Sequence, residues 1–414
     1  VSARDGVEVH VELDGSTVLA GRAQFQRSRG RLQGTTFQYE TEYLARPTSY
    51  AIDPALQLTS GTQYTAGLPG SFADSAPDRW GRNLIRKQER ALADGSARAA
   101  RVLDDVDYLI GVSDVTRQGA LRFRGDPDSP FLDPDHQVPK LLHLPELLRA
   151  ADSASGDADD HAAVKALLAA GTGSLGGARP KASVLGDDGR QLIAKFPHQT
   201  DEWDVMAWEA TALDLASAAG VNVPPHRLSR VDGRHLVLLD RFDRSSTGRI
   251  GYVSAMTVLE ERDGASADYE DIAERIPEIS EQPSRDLREL FRRVAVSVGM
   301  NNTDDHLRNH GFLRRRSGWV LSPAFDLNPN PDPELRQTSL AGAASPIDEA
   351  DGLVSLAASC RLSAQQAQDE LRAVIAALEG WREVALANEV PASQTKRFER
   401  SFSEGLDTLR RASR

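Results

Sequence analysis

The sequence predicts an α+β fold, with a β-rich N-terminal module ahead of a core in which strands give way to helices. Three observations predict it. Val7, Val9, Val11 and Leu13 alternate with polar residues before the turn dipeptide Asp14-Gly15, and Thr17-Val18-Leu19 follows as a return strand, so the chain opens as a β-hairpin. From about residue 164 the order becomes glycine loop, hairpin with a lysine, helix, strand and further helices. Late in that order Leu287, Leu290, Phe291, Val294, Ala295 and Val298 recur at helical spacing and lead into a polar loop, so the loop leaves a core-packed support.

Taken in order, Phe37, Tyr39 and Tyr43 continue the strand character of the first module. Leu68-Pro69-Gly70 breaks it before a helix through Trp80, Leu84, Ile85 and Gln88. The module is placed at residues 1–125. Asp126 to Pro130 is a turn cluster, and the acidic, apolar-poor stretch Asp152 to Asp160 marks the region of the major boundary. A second segment, 126–245, contains the loop Gly171-Thr172-Gly173-Ser174-Leu175-Gly176-Gly177, the strand Lys181 to Leu185, the turn Gly186 to Gly189 and the strand Leu192 to Phe196. A helix with Met206, Ala207, Ala210, Leu213 and Ala216 on its buried side follows, stopped by Gly220 and Pro224-Pro225. Leu236 to Leu239 is an apolar strand running into Asp240-Arg241-Phe242-Asp243-Arg244. The third segment, 246–414, is mainly helical and carries the polar loop.

Composition bounds the function classes. At 414 residues, 40% hydrophobic and 27% charged, the chain is long enough for two or three domains with their own cores. Its one cysteine, Cys360, excludes an internal disulfide framework and a cysteine metal site. With no apolar window of membrane-spanning length and no apolar leader region at Val1 to Asp5, a cytoplasmic protein without a membrane role is expected. A formal net charge of −12 argues against direct coating of nucleic acid, which is driven by phosphate neutralisation. Arg314 to Arg316 reads as a solvated hairpin tip.

The candidate chemistry centres on Asn301-Asn302-Thr303-Asp304-Asp305-His306-Leu307-Arg308-Asn309 and Ala324-Phe325-Asp326-Leu327. Phosphoryl transfer needs a carboxylate to orient the attacking hydroxyl, and an amide and a second carboxylate to hold the Mg²⁺ that bridges nucleotide phosphates. Asp304 and Asn309 have the D-x-x-x-x-N interval of a protein-kinase catalytic loop. Gly311-Phe312-Leu313 and Trp319-Val320-Leu321, joined by a polar turn, read as a hairpin that folds Asp326 back beside Asn309. His306 reads as a brace for the loop. A zinc site at Asp304-Asp305-His306 lacks a fourth ligand. Lys195, in an apolar strand, is the candidate for the ATP phosphates, with Glu209 on the next helix as its partner; a snorkelling edge-strand lysine is the other reading. The glycine loop reads as a phosphate cradle or as a flexible connection. Ser174 within it is a candidate for modification, since phosphoserine there would repel a bound nucleotide. Phe242 is a candidate wall for the adenine, or a core aromatic.

These segments resemble one family. Thr303 to Asn309 and Ala324 to Leu327 look like the catalytic and metal-binding segments of HipA-like toxin serine/threonine kinases, and Ser174-Leu175-Gly176-Gly177-Ala178-Arg179-Pro180-Lys181 is similar to the family's phosphate loop with its autophosphorylated serine. Ala194-Lys195-Phe196-Pro197, Asp240 to Arg244, Leu68-Pro69-Gly70 through Trp80-Gly81, and Gly119-Ala120-Leu121 extend the resemblance over most of the chain. It implies a small N-terminal subdomain on a bilobal protein-kinase-like core with an all-helical C-lobe. It also implies ATP with Mg²⁺, and nucleotide contacts from Lys195, Gly176, Gly177, Ala178, Asp240, Phe242 and Glu209. Asn309 and Asp326 would be the metal ligands and Ser174 the autophosphorylation site. The implied partners are a protein substrate such as an aminoacyl-tRNA synthetase and a DNA-binding antitoxin of HipB type, with DNA reached only through that antitoxin. Three features depart from the family pattern: Arg308 in place of lysine, Asp240 in place of a glutamate, and a poor match over 251–279. Rival readings are a small-molecule kinase of the aminoglycoside-phosphotransferase type and a catalytically idle ATP-binding corepressor.

Overall fold

The computed structural model describes residues 3–13, 15–132, 138–156, 160–171, 179–262, 264–265, 267–332, 334–343, 345 and 347–414. The chain divides into two compact units. The first comprises Val1–Thr200, Val231–Arg234 and Asp240–Val253; the second comprises Asp201–Arg230, His235–Leu239 and Ser254–Arg414.

The first unit is built on a five-stranded antiparallel sheet in the order Thr62–Ala66, Arg31–Tyr39, Ser16–Ser28, Gly6–Leu13, Leu121–Arg124. The alternation that predicts Gly6–Leu13 as a strand is correct, yet its polar positions are buried as well: Glu8 and His10 are only 4% and 6% exposed. Arg22 and Arg124 pair with Glu8 at 3.0 and 2.7 Å, and the ring of Phe131 stands edge-on to His10, so this face is covered by charge pairs and an aromatic instead of water. Val7, Val9 and Val11 are buried, and the rings of Phe37 and Phe123 stand edge-on to Phe72. Tyr43 departs from the strand reading. It lies in the short helix Thr41–Leu44, and its hydroxyl donates to the Tyr50 carbonyl at 2.8 Å. Helices Arg79–Gly95, Leu144–Ser155 and His161–Ala169 follow, and then the hairpin Lys181–Leu185/Gln191–Lys195. The polar stretch from Asp152 therefore does not part the two units. Asp152 to Ser155 complete a helix, Asp152 binds Arg234 at 3.0 Å, and the unit runs on to Thr200.

The second unit is mostly helical. Its long members are Val205–Ala218, Tyr269–Ile279, Pro283–Gly299, Glu349–Ser359, Ala364–Glu379 and Ala392–Ala412. Trp208 stacks on Phe398 at 3.9 Å between ring centroids and Trp381 on Phe402 at 4.5 Å, giving the bundle an aromatic centre. Pro283–Gly299 is packed closely enough against Ala392–Ala412 that a Cβ on Gly405 would lie 2.5 Å from the Gly299 carbonyl oxygen. That contact fixes the end of the helix from which the polar loop departs.

Candidate active site

Pro283–Gly299 ends in a turn that aims the loop. Asn301 is left-handed at φ +53, its N–H donates to the Val298 carbonyl at 3.1 Å, and the Asn302 N–H reaches the Ser297 carbonyl at 2.8 Å. This is the paired closure of a Schellman motif, with asparagine where glycine is commonest. The Asn301 side chain adds a second function: its Nδ2 donates to the carbonyls of Asn330 and Asp332 at 2.8 and 3.0 Å. The helix end is thereby stapled to the chain beyond Asp326.

A second segment fastens the loop residue by residue. Arg336 Nη1 donates to the Asn302 carbonyl at 2.6 Å, the Gln337 N–H to the Thr303 carbonyl at 3.0 Å, the Gln337 side-chain amide to Asp304 Oδ1, and Thr338 Oγ1 to the Asp305 carbonyl at 2.6 Å. Arg336 is itself buried and fixed by Glu349 at 2.8 Å.

Asp304 and Asp305 are neighbours with opposite surroundings. Asp305 is buried, accepting from the Tyr269 hydroxyl at 2.6 Å and the Ser297 hydroxyl at 3.3 Å. A His310 ring nitrogen lies 3.0 Å away, close enough for an ion pair but not aligned as a hydrogen bond. Burial opposes the Asp305 charge, but His310, Tyr269 and Arg336 outweigh it and hold the carboxyl down at about 2. Asp304 is exposed, and its carboxyl is pushed the other way. Partial desolvation raises it above the usual carboxylate range, His306 opposes the rise, and the negative charges of Asp326, Asp305 and Glu334 add to it. Asp305 is a structural carboxylate; Asp304 is held ionisable at the surface.

Asn309 closes the turn Leu307–Asn309. Its N–H donates to the His306 carbonyl at 2.8 Å and its Nδ2 to the Asp304 carbonyl at 3.2 Å, which leaves the amide oxygen as the end suited to a cation. The expected hairpin forms, with Phe312, Leu313 and Arg314 opposite Leu321, Val320 and Trp319. Asp326 follows at φ +59, a conformation that aspartate and asparagine tolerate better than most residues, and Asn328 Nδ2 approaches its Oδ1 at 3.4 Å. Asp304, Asn309 and Asp326 therefore share one neighbourhood of hard oxygen donors. Two protein ligands supplemented by phosphate oxygens is a coordination Mg²⁺ accepts. Among the described residues no group of three or more His, Cys, Asp and Glu gathers as a metal cage. Among the described residues His306 Nδ1 is buried without a hydrogen-bond partner, and the ring that stands within ion-pair distance of Asp305 is that of His310.

The other candidates are distributed. Lys195 ends the strand Gln191–Lys195 in the first unit, buried and directly opposite Lys181. Asp240 pairs with Arg190, and the Phe242 ring lies 6.2 Å from that of Tyr252, all in the first unit. Glu209 is buried on Val205–Ala218 in the second. Ser174, Gly176, Gly177 and Ala178 lie outside the described residues. Within Asp240 to Arg244, the charged residues Arg241, Asp243 and Arg244 are structural. Asp243 binds Arg241 and Arg244 and accepts the Gly119 N–H at 2.8 Å, while Arg241 donates to the carbonyls of Thr116 and Arg117.

Comparison with known proteins adds the following. A family model described as the HipA N-terminal domain matches residues 18–103, and one described as the HipA-like C-terminal domain matches residues 173–381, half of the chain by itself. "Putative kinase Y4mE" of Sinorhizobium fredii is 27% identical over 146 residues, 33% of this chain and 33% of that protein. "Putative kinase" of Haemophilus influenzae is 25% identical over 194 residues, 40% of this chain and 56% of that protein. The matches thus span between a third and little more than half of the length of these relatives. Among solved structures, the complex of HipA, HipB and operator DNA from the Shewanella oneidensis MR-1 toxin–antitoxin system contains a chain with TM-score 0.71 and 14% identity, covering 98% of this chain and 97% of that one. At that identity the likeness is one of fold. No helix among the described residues is long and apolar enough to cross a membrane.

Proposed function

Because the chain belongs to the HipA-like family, we propose that it is an ATP-dependent serine/threonine protein kinase acting as the toxin of a toxin–antitoxin pair. The observation that supports this most is the division of labour between adjacent carboxylates. Asp305 is buried to hold the loop, while Asp304 stands exposed beside Asn309 and Asp326 with its carboxyl raised. A loop built only for stability has no reason to keep the second charge cluster.

In this reading Asp304 orients the substrate hydroxyl and accepts its proton as that oxygen bonds to the γ-phosphorus and the γ-phosphorus bond to the bridging oxygen breaks, releasing ADP, and Gln337 holds the carboxylate through Oδ1. Asn309 and Asp326 would hold Mg²⁺, which would supply charge neutralisation on the phosphates. Lys195 engages the phosphates, with Glu209 as its counterpart, in a bilobal kinase-like core; the glycine loop with Gly176, Gly177 and Ala178 covers them, and Asp240 and Phe242 serve the adenine. The substrate is a translation component such as an aminoacyl-tRNA synthetase. Autophosphorylation of Ser174 switches the enzyme off, because a phosphoserine and the nucleotide phosphates repel within one loop. The antitoxin is a DNA-binding protein of HipB type, and the setting is cytoplasmic. Incubation of a cell lysate with the protein, Mg²⁺ and γ-labelled ATP tests the reading. A discrete labelled protein band is expected. A labelled small molecule indicates an aminoglycoside-phosphotransferase-like enzyme, and no label indicates an ATP-binding corepressor.

A further inference from the structure

The segment 336–338 that fastens the loop is itself held by one carboxylate, that of Asp268, where Ala267–Asp268 and Thr338–Ser339 run parallel. Asp268 Oδ2 accepts from the Ser339 hydroxyl at 2.6 Å and the Gly342 N–H at 2.8 Å. Its Oδ1 accepts the Ala341 N–H at 3.0 Å and the Glu270 N–H at 2.9 Å, the latter capping the helix Tyr269–Ile279. Ala341 and Gly342 are left-handed at φ +50 and +81, and Leu340 and Ala343 close a two-residue turn around them. The turn wraps the carboxylate, so the far end of the fastening segment is fixed at four donors. All of these residues belong to the second unit.

Along that segment the side chains alternate. Arg336 and Thr338 are buried against the loop's carbonyls, whereas Gln337 is exposed and its amide reaches Asp304 Oδ1. Among the described residues no other group donates a hydrogen bond to this carboxylate. We infer that Gln337 and Asp268 are positioning residues: Gln337 occupies Oδ1 and leaves Oδ2 of Asp304 to take the substrate proton, and Asp268 clamps the segment that presents Gln337. The inference rests on the phosphotransfer role proposed for Asp304. A carboxylate free to turn offers either oxygen in many orientations, and a donor fixed on one oxygen leaves the other aimed. In the step, the hydroxyl proton passes to Oδ2 and the electron pair of that O–H bond forms the bond to the γ-phosphorus. The γ-phosphorus bond to the bridging oxygen breaks, and its pair leaves with ADP. Gln337 and Asp268 exchange no proton.

The test follows label from γ-labelled ATP into lysate protein, using the full chain at equal folded concentration and varying ATP to separate the maximal rate from the KM for ATP. Gln337→Lys keeps a donor, whereas Gln337→Glu keeps the shape and replaces the donor by an acceptor. Gln337→Glu and Gln337→Leu should lower the rate at saturating ATP about tenfold or more, with the KM for ATP within about twofold of wild type. Gln337→Lys should recover most of the rate. A role in shape alone gives the reverse order of Lys and Glu. Asp268→Ala should also slow transfer, and Asp268→Ala/Gln337→Leu should be no slower than Gln337→Leu by more than about twofold, because the clamp acts through the amide it places. Wild-type rates in Gln337→Leu and Gln337→Glu, a faster Gln337→Glu than Gln337→Lys, or multiplied losses in the double variant overturn the inference and leave the kinase reading standing. Failure of the wild-type protein to label any lysate protein overturns both. Should Asp268→Ala not fold, the order of the three Gln337 variants decides.

Discussion

Replacing Asp304 and Asp305 one at a time by asparagine should separate chemistry from stability at neighbouring positions. At Asp305 the amide keeps an acceptor for Tyr269 and Ser297 but loses the charge that faces His310 and Arg336. Depression of its carboxyl to about 2 from the ordinary 3.8 is equivalent to ~2–3 kcal/mol of folding free energy at neutral pH. Asp305→Asn should therefore be destabilised by about that amount. Asp304→Asn should stay within ~0.5 kcal/mol of wild type, because a surface carboxyl raised by partial desolvation and by neighbouring negative charge gives the fold nothing that neutralisation removes. Urea unfolding followed by tryptophan fluorescence is the assay, since Trp208 and Trp381 sit in the aromatic centre of the same unit. The pH dependence supplies a check of sign. A carboxyl lowered in the folded state stabilises it fully above about pH 4, and the contribution disappears as pH falls through about 2, so wild type and Asp305→Asn should converge over that interval. Equal midpoints for Asp305→Asn and wild type at pH 7, or a larger loss in Asp304→Asn, would refute the assignment of roles.

Gly405→Ala should lower unfolding free energy by ~2–3 kcal/mol, because the new Cβ would meet the Gly299 carbonyl oxygen at 2.5 Å and backbone cannot give way as a side chain does; a urea midpoint unchanged from wild type would show that this helix crossing is not tight. Asn301→Ala should lose ~1–2 kcal/mol, from the left-handed backbone at φ +53 and the two lost amide hydrogen bonds, while Asn301→Gly should recover the backbone part alone. Equal denaturation curves for the two variants would contradict this. Lys195→Ala should weaken binding of a non-hydrolysable ATP analogue by roughly tenfold or more in calorimetric titration, and unchanged affinity would favour a lysine whose only role is to cover apolar surface.

Where structure follows local periodicity, the sequence is a sufficient guide. The hairpin Gly311–Arg314/Trp319–Leu321, the helix Pro283–Gly299 and the lysine hairpin all announce themselves by local periodicity and turn residues. The support of the loop does not. Gln337, Arg336 and Thr338 reach it across about thirty residues, from a stretch whose asparagines and prolines read only as loop, and no periodicity links partners so far apart. Nothing in Asp304-Asp305 tells which carboxylate is buried, since that is decided by Tyr269 and His310. The segment Asp240 to Arg244 suggests nucleotide contacts through Asp240 and Phe242, whereas what its local sequence does not show is that Arg241, Asp243 and Arg244 bind backbone near Gly119. Tyr43 reads as strand because aromatic residues favour strands, but its hydroxyl contact to Tyr50 fits a helical turn.

The most direct measurement is the initial rate of γ-phosphate transfer from labelled ATP to protein in a cell lysate, compared between wild type and Asp304→Asn at equal folded concentration. Loss of the carboxylate that orients the hydroxyl and takes its proton should reduce the rate by about 10²–10⁴-fold while urea stability is retained. Transfer by Asp304→Asn at the wild-type rate would contradict the account.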